Sequence, residues 1–138
     1  PMQVERLDDF LALVPMASPT AEAAIHAAAA ACVTQLQPLA APLPPAELAR
    51  RRSGGLTPRQ EELLQRWGYP FVLEEFRFHL SLTGPLGLVH ADTQALVHDA
   101  AEQFFADLPP LQFNSLALFA EPAPGTDFVL LDHLEMGA

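Results

Sequence analysis

Residues 76–83 read Phe76-Arg77-Phe78-His79-Leu80-Ser81-Leu82-Thr83, and their alternation decides the fold class. Phe76, Phe78, Leu80 and Leu82 fall on one face of an extended chain, and Arg77, His79, Ser81 and Thr83 on the other. A period of two over eight residues predicts a half-buried strand, because successive strand side chains leave opposite faces. Gly84-Pro85 closes the run. Same-face neighbours on such a strand sit about 6.5–7 Å apart. A guanidinium, an imidazole and a hydroxyl therefore project together over an apolar floor.

Working outward toward the N-terminus, Thr57-Pro58-Arg59-Gln60 makes a capping box for a helix that runs to Trp67, with Gly68 as its left-handed C-cap. Pro45–Arg52 reads as a short helix whose Arg50-Arg51-Arg52 cluster suits the negative end of its dipole, and Gly54-Gly55 ends it. Pro38–Pro45 is a proline-rich connector. Ser18-Pro19 opens an Ala-rich helix reaching about Gln37. Ahead of it, the continuous apolar run Phe10-Leu11-Ala12-Leu13-Val14 predicts a buried strand. Toward the C-terminus, Asp92 is the expected cap of a helix carrying Leu96, Val97, Ala100, Ala101, Phe104, Phe105 and Leu108 at helical spacing, stopped by Pro109-Pro110. Phe113–Ala120 and Asp127–Leu134 read as two strands joined in a hairpin. The expected fold is α+β, a single domain over residues 1–138 with a four-stranded antiparallel or mixed sheet and helices packed on one face. Residues 44–70 read as a helical insertion on a simpler βαβ-type core.

The 138 residues are half apolar and 17% charged, which predicts a packed core rather than disorder. A net charge of −10 argues against broad nucleic-acid binding, and all seven basic residues are Arg, with no Lys. Phosphate contacts must then come from a few placed arginines, histidines or hydroxyls. One cysteine, Cys32, excludes an intrachain disulfide and a cysteine zinc cage, and its Ala-rich setting reads as a small buried hydrophobe. No run approaches the roughly 18 apolar residues of a membrane span, and no secretory signal pattern opens the chain. The cytoplasm is the expected location.

On the face of residues 77–81, His79 can give or take a proton, Ser81 can donate to an oxyanion, and Arg77 can neutralise one. These groups suit a phosphoester better than a carbonyl, since no acidic residue on that face orients His79 as a Ser-His-Asp triad requires. The competing reading is a solvated polar strand face. Trp67 and Tyr69 are candidates to line a cleft, where Tyr69 would stack on a sugar or base; the competing reading has them anchoring a helix end. His90 and His98 lack the i, i+4 spacing of a helical metal pair, and His133 shares a strand face with Glu135 only near the terminus, so no metal and no cofactor is expected.

The segment from Glu74 to Gly84 resembles the second signature of the 2H phosphoesterase superfamily, a strand carrying His-x-Thr/Ser between hydrophobic positions. Leu56-Thr57-Pro58-Arg59-Gln60-Glu61, Arg66-Trp67-Gly68-Tyr69-Pro70, Phe10–Pro15 and Pro45–Arg50 resemble a branch of that superfamily associated with phosphonate-metabolism genes. The resemblance implies a bilobal fold in which each lobe contributes one His-x-Thr/Ser strand. It implies metal-independent hydrolysis of a cyclic phosphodiester, with one histidine as general base and the other as general acid. His79 and Ser81 are then the catalytic candidates, Arg77 and Tyr69 the substrate-binding ones, and a small phosphorylated molecule the expected partner.

The sequence departs from that pattern in one respect. His26, His90, His98 and His133 are not followed by x-Thr/Ser, so a second signature is missing, and the resemblance implies that the family's first lobe segment is absent from these residues. Three readings stay open: the chain, which opens on Pro1, is part of a longer enzyme; it is a shortened phosphorylated-ligand-binding or protein-interaction domain without catalysis; or it forms a homodimer that pairs two copies of His79 across a two-fold axis.

Overall fold

A computed structural model of the chain describes residues 1–136. They fall into two compact units, Pro1–Asp107 and a second beginning at Leu108. The first unit carries a three-stranded antiparallel sheet built from β1 (Met2–Leu7), β2 (Phe10–Pro15) and β3 (Leu80–Ser81), with β2 in the middle. Its helices are α1 (Pro19–Leu36), α2 (Pro45–Arg52), α3 (Pro58–Trp67) and α4 (Ala91–Phe105). The second unit holds the antiparallel hairpin β4 (Ser115–Ala120) and β5 (Val129–Glu135), with a register shift between Leu118 and Phe119.

The core begins at β2. Leu11, Ala12 and Leu13 are all buried, which is why that run is apolar at every position rather than at alternate ones. Leu63 and Leu64 of α3, Pro70, Val72 and Leu86 complete the buried set among the described residues. β1, which the sequence reading omits, joins β2 through the two-residue turn Asp8-Asp9, with Asp8 at φ 52°. Asp tolerates the left-handed region better than most residues, so Asp-Asp can stand where a tight hairpin usually has Asn-Gly or Asp-Gly.

The α+β class stands, but the sheet is not a single four-stranded one: three strands form one sheet and β4–β5 a second. Proline explains part of this division, since Pro109-Pro110 breaks the chain between α4 and the hairpin, whose two strands pair with each other. The expected strand over 76–83 is also shorter. Only Leu80 and Ser81 enter the ladder, opposite Leu13 and Ala12, and Leu80 is exposed rather than part of an apolar floor. Residues 73–75 instead make a 3₁₀ turn that starts from Leu73 at φ 55° and leads the chain into the sheet by another route.

Local helix signals hold closely. Ser18 Oγ accepts from the Ala21 N–H, and Thr57 with Gln60 forms the reciprocal capping box. Gly68 ends α3 at φ 77°. The cap of α4 is corrected: His90, not Asp92, is the N-cap, its Nδ1 accepting from the Asp92 N–H at 3.4 Å. Asp92 lies in the first turn, where a carboxylate favours the positive end of the helix. Cys32 is half-buried. Among the described residues, no helix is long and apolar enough to cross a membrane.

Candidate functional site

α3 positions the site from its first turn. Gln60 closes the capping box through Oε1 and donates through Nε2 to Glu75 at 2.8 Å. Next to it, Arg59 reaches both Glu62 and Glu74. Hydrogen bonding to Arg59 holds the Glu74 carboxyl below its usual range. These contacts tie the turn at 73–75 to the helix and fix where the following residues, 76–79, leave it. β3 holds the other end through its pairing with β2, reinforced by Thr83. The Leu11 N–H donates to Thr83 Oγ1 at 3.0 Å, and the Leu82 N–H donates to the Leu11 carbonyl at 2.8 Å.

Between these anchors lies an open cleft of about 700 Å³. Arg77, His79 and Tyr69 line it together with the aromatic rings of Phe10, Phe71, Phe76 and Phe78. Three of the four candidates named from sequence are thus brought into one cavity. Ser81 is not among the lining residues; it sits in the ladder opposite Ala12, exposed. Thr83, expected on the same face as His79, is a sheet contact instead. Sequence reasoning missed the other end of the cleft. Asp8 and Phe10 enter it from the β1–β2 hairpin, and Gln60 and Glu75 from the start of α3 and the turn it holds. The unread hairpin explains the first pair; only the capping box hinted at the second.

His79 has two fixed contacts. Its Nδ1 lies 2.8 Å from the Arg77 carbonyl oxygen, and its ring lies 5.5 Å from that of Phe10. A carbonyl only accepts, so Nδ1 carries the proton and Nε2 is left to exchange one with a ligand. Arg77 differs from every other arginine of the chain. Arg50, Arg51, Arg52 and Arg59 are ion-paired, Arg6 bonds to Gln94 and the Asp8 carbonyl, and Arg66 lies over Trp67. Among the described residues, the Arg77 guanidinium alone has no partner, and it is exposed at the cleft. The cleft therefore offers one uncommitted cation, one oriented imidazole and aromatic walls, beside two carboxylates, Asp8 and Glu75.

The remaining histidines are not among the residues that line this cavity. His26 packs edge-on against Phe76 from α1, with ring centroids 5.5 Å apart. His98, Asp99 and Glu102 of α4 bring their ligand atoms within 4.8 Å of one another at the surface, and His133 faces Glu135 on β5 at 3.6 Å.

The residues of this α+β chain place it within a known family. A family model described as a protein of unknown function (DUF1045) matches residues 1–129, and the chain belongs to that family. It is similar to two curated proteins, each named "Ribose 1,5-bisphosphate phosphokinase PhnN". The one from Janthinobacterium sp. (strain Marseille) is 44% identical over 131 residues, 93% of this chain and 28% of its own length. The one from Laribacter hongkongensis (strain HLHK9) is 38% identical over 125 residues, 90% of this chain and 27% of its own length. The chain thus spans little more than a quarter of the curated relatives it matches. No solved structure matches it.

Proposed function

We propose that the cleft is a phosphoester site of the 2H type, hydrolysing a cyclic phosphodiester on a small sugar phosphate within phosphonate metabolism. The observation that carries this reading is the pairing of an uncommitted Arg77 guanidinium with a His79 imidazole oriented through Nδ1, both lining one aromatic-walled cavity. Arg77 holds a non-bridging phosphate oxygen, and Tyr69 offers a ring to the sugar. Water adds to phosphorus, one ring P–O ester bond breaks, and the products are a phosphomonoester and a free hydroxyl. One proton leaves the water and one reaches the departing oxygen. His79 Nε2 performs one of these two transfers, accepting a proton when the ring is neutral and giving one when it is charged.

The second transfer needs a group outside the His79 motif, since no other histidine of the chain is followed by x-Thr/Ser. It comes from a further part of a longer polypeptide or from a second copy. The relatives' name is that of a kinase acting on ribose 1,5-bisphosphate. A glycine-rich phosphate loop ending in Gly-Lys-Ser/Thr does not occur in these residues, which include no lysine, so we read this stretch for hydrolysis of a sugar phosphate.

A second reading is a phosphorylated-ligand-binding domain without turnover, favoured by the single His-x-Ser motif and by Ser81 lying off the cleft. The test is to follow opening of a cyclic ribose phosphate by the wild type and by His79→Ala. The phosphoesterase reading expects a loss of about 10²–10⁴-fold in the variant, with its thermal unfolding unchanged because His79 is exposed. Equal hydrolysis by both proteins overturns it, and binding without turnover selects the second reading.

A further inference from the structure

Tyr69 is the chain's only tyrosine, and it follows Gly68, whose left-handed backbone turns the chain out of α3 toward the cleft. Three things surround its ring. Phe71 meets it edge-on at 5.7 Å, the cleft opens beside it, and the Arg51 guanidinium lies 5.0 Å from its centroid. Arg51 is not among the residues that line the cleft, so its contact with the site is through the Tyr69 ring it covers.

Arg51 is itself held. Its Nε donates to Glu47 Oε1 at 2.8 Å one helical turn earlier, and its side chain is only 21% exposed against 71% for neighbouring Arg50. Glu47 also accepts two bonds from Arg50, so one carboxylate serves two guanidiniums and the cluster keeps a net positive charge. The face of an aromatic ring is electron-rich and repels an anion. A cation over the ring offsets that repulsion, more strongly when partly shielded from water.

We propose that Arg51 is a positioning residue of the cleft: it holds Tyr69 as the wall against which a phosphorylated sugar seats and makes that wall tolerant of negative charge. The inference rests on the reading of the cleft as a phosphoester site. It gives the helical segment around α2 a role at the cleft through the Tyr69 ring.

The experiment uses the full chain with labelled tyrosine, whose single set of ring resonances reports on Tyr69 alone, titrated with a cyclic ribose phosphate. The ring resonances shift in the wild type, and Arg51→Met raises Kd about tenfold, within the range of a partly shielded cation–π contact. Arg51→Lys, which keeps a cation, recovers part of that loss, and kcat stays within about threefold of wild type, as a contact acting on binding alone requires. An unchanged Kd in Arg51→Met, or wild-type Tyr69 resonances that do not respond, overturns the proposal. If Arg51→Met does not fold, Glu47→Gln loosens the same anchor without touching Tyr69 and is judged by the same Kd. Binding that depends on Arg51 in a protein without turnover removes the hydrolytic reading and keeps this one. Turnover with binding indifferent to Arg51 does the reverse.

Discussion

His79 Nδ1 is bonded to the main-chain carbonyl of Arg77, two residues before it, at 2.8 Å. Because the acceptor is backbone, the imidazole keeps its orientation whatever side chain stands at position 77. The two functions of Arg77 are thereby separable: its carbonyl sets the tautomer of His79, and its guanidinium meets the ligand.

Arg77→Met should remove only the second of these functions. Losing a charge-assisted contact to phosphate is expected to raise KM, or Kd in the absence of turnover, by about 10- to 100-fold. Thermal stability should not change, since the guanidinium is exposed and has no partner among the described residues. Isothermal titration with the cyclic ligand checks it; affinity within twofold of wild type would remove Arg77 from the site.

Thr83→Val tests the support beneath the site. The valine keeps the shape but takes away the acceptor of the Leu11 N–H in the buried central strand. A buried donor left unsatisfied costs about 1–3 kcal/mol, so urea unfolding should show a loss in that range, with Thr83→Ser near wild type. A valine variant as stable as wild type would mean that water reaches Leu11.

Gly68→Ala probes the turn that delivers Tyr69. At φ 77° an L-residue is strained by about 1–2 kcal/mol, while the added methyl itself would sit 3.6 Å from Leu43 Cδ1, an ordinary contact. The expected result is a lower Tm. An unchanged Tm would mean that the turn relaxes out of the left-handed region.

Acid should weaken the α2 cluster in a defined window. The hydrogen bond from Arg50, with a lesser contribution from Arg51, lowers the Glu47 carboxyl from 4.5 to about 2. A depressed carboxylate contributes stability above its unfolded value, and that contribution fades as pH falls from about 4.5 through about 2. Glu47→Gln should therefore be less stable than wild type at neutral pH, with the difference shrinking across that window. Melting curves at pH 7, 4 and 2.5 measure it, and a gap that does not narrow on acidification assigns the effect to shape rather than charge.

What the sequence disclosed and what it withheld divide along physical lines. Helix ends were legible because Ser18, Thr57 and Gly68 act on groups within a few residues of themselves. β2 was legible because a strand covered on both faces has no polar position. β1 was not, because Asp8-Asp9 lacks the usual hairpin glycine and Gln3, Glu5 and Arg6 dilute its apolar residues. Arg77 and His79 of the alternating run 76–83 are exposed, but Phe76 and Phe78, expected on the opposite face, line the same cleft. The alternation could not show that the ladder covers only Leu80 and Ser81, since pairing depends on β2, some 70 residues earlier in the chain. The cleft's second wall was hidden for the same reason: Phe10 and Glu75 meet only after folding.

The two-residue length of β3 has a mechanical consequence. Ser81 is clamped, since shifting it means breaking its pairing with Ala12. His79 lies just outside the ladder, steadied by one ring and one carbonyl rather than by the sheet. The His-x-Ser triplet thus works as a short lever on a fixed fulcrum: the imidazole can follow an incoming phosphate without disturbing the strand behind it. Amide exchange should register this as a step, with slow protons from Leu82 onward into the β2 contact and a fast one at His79.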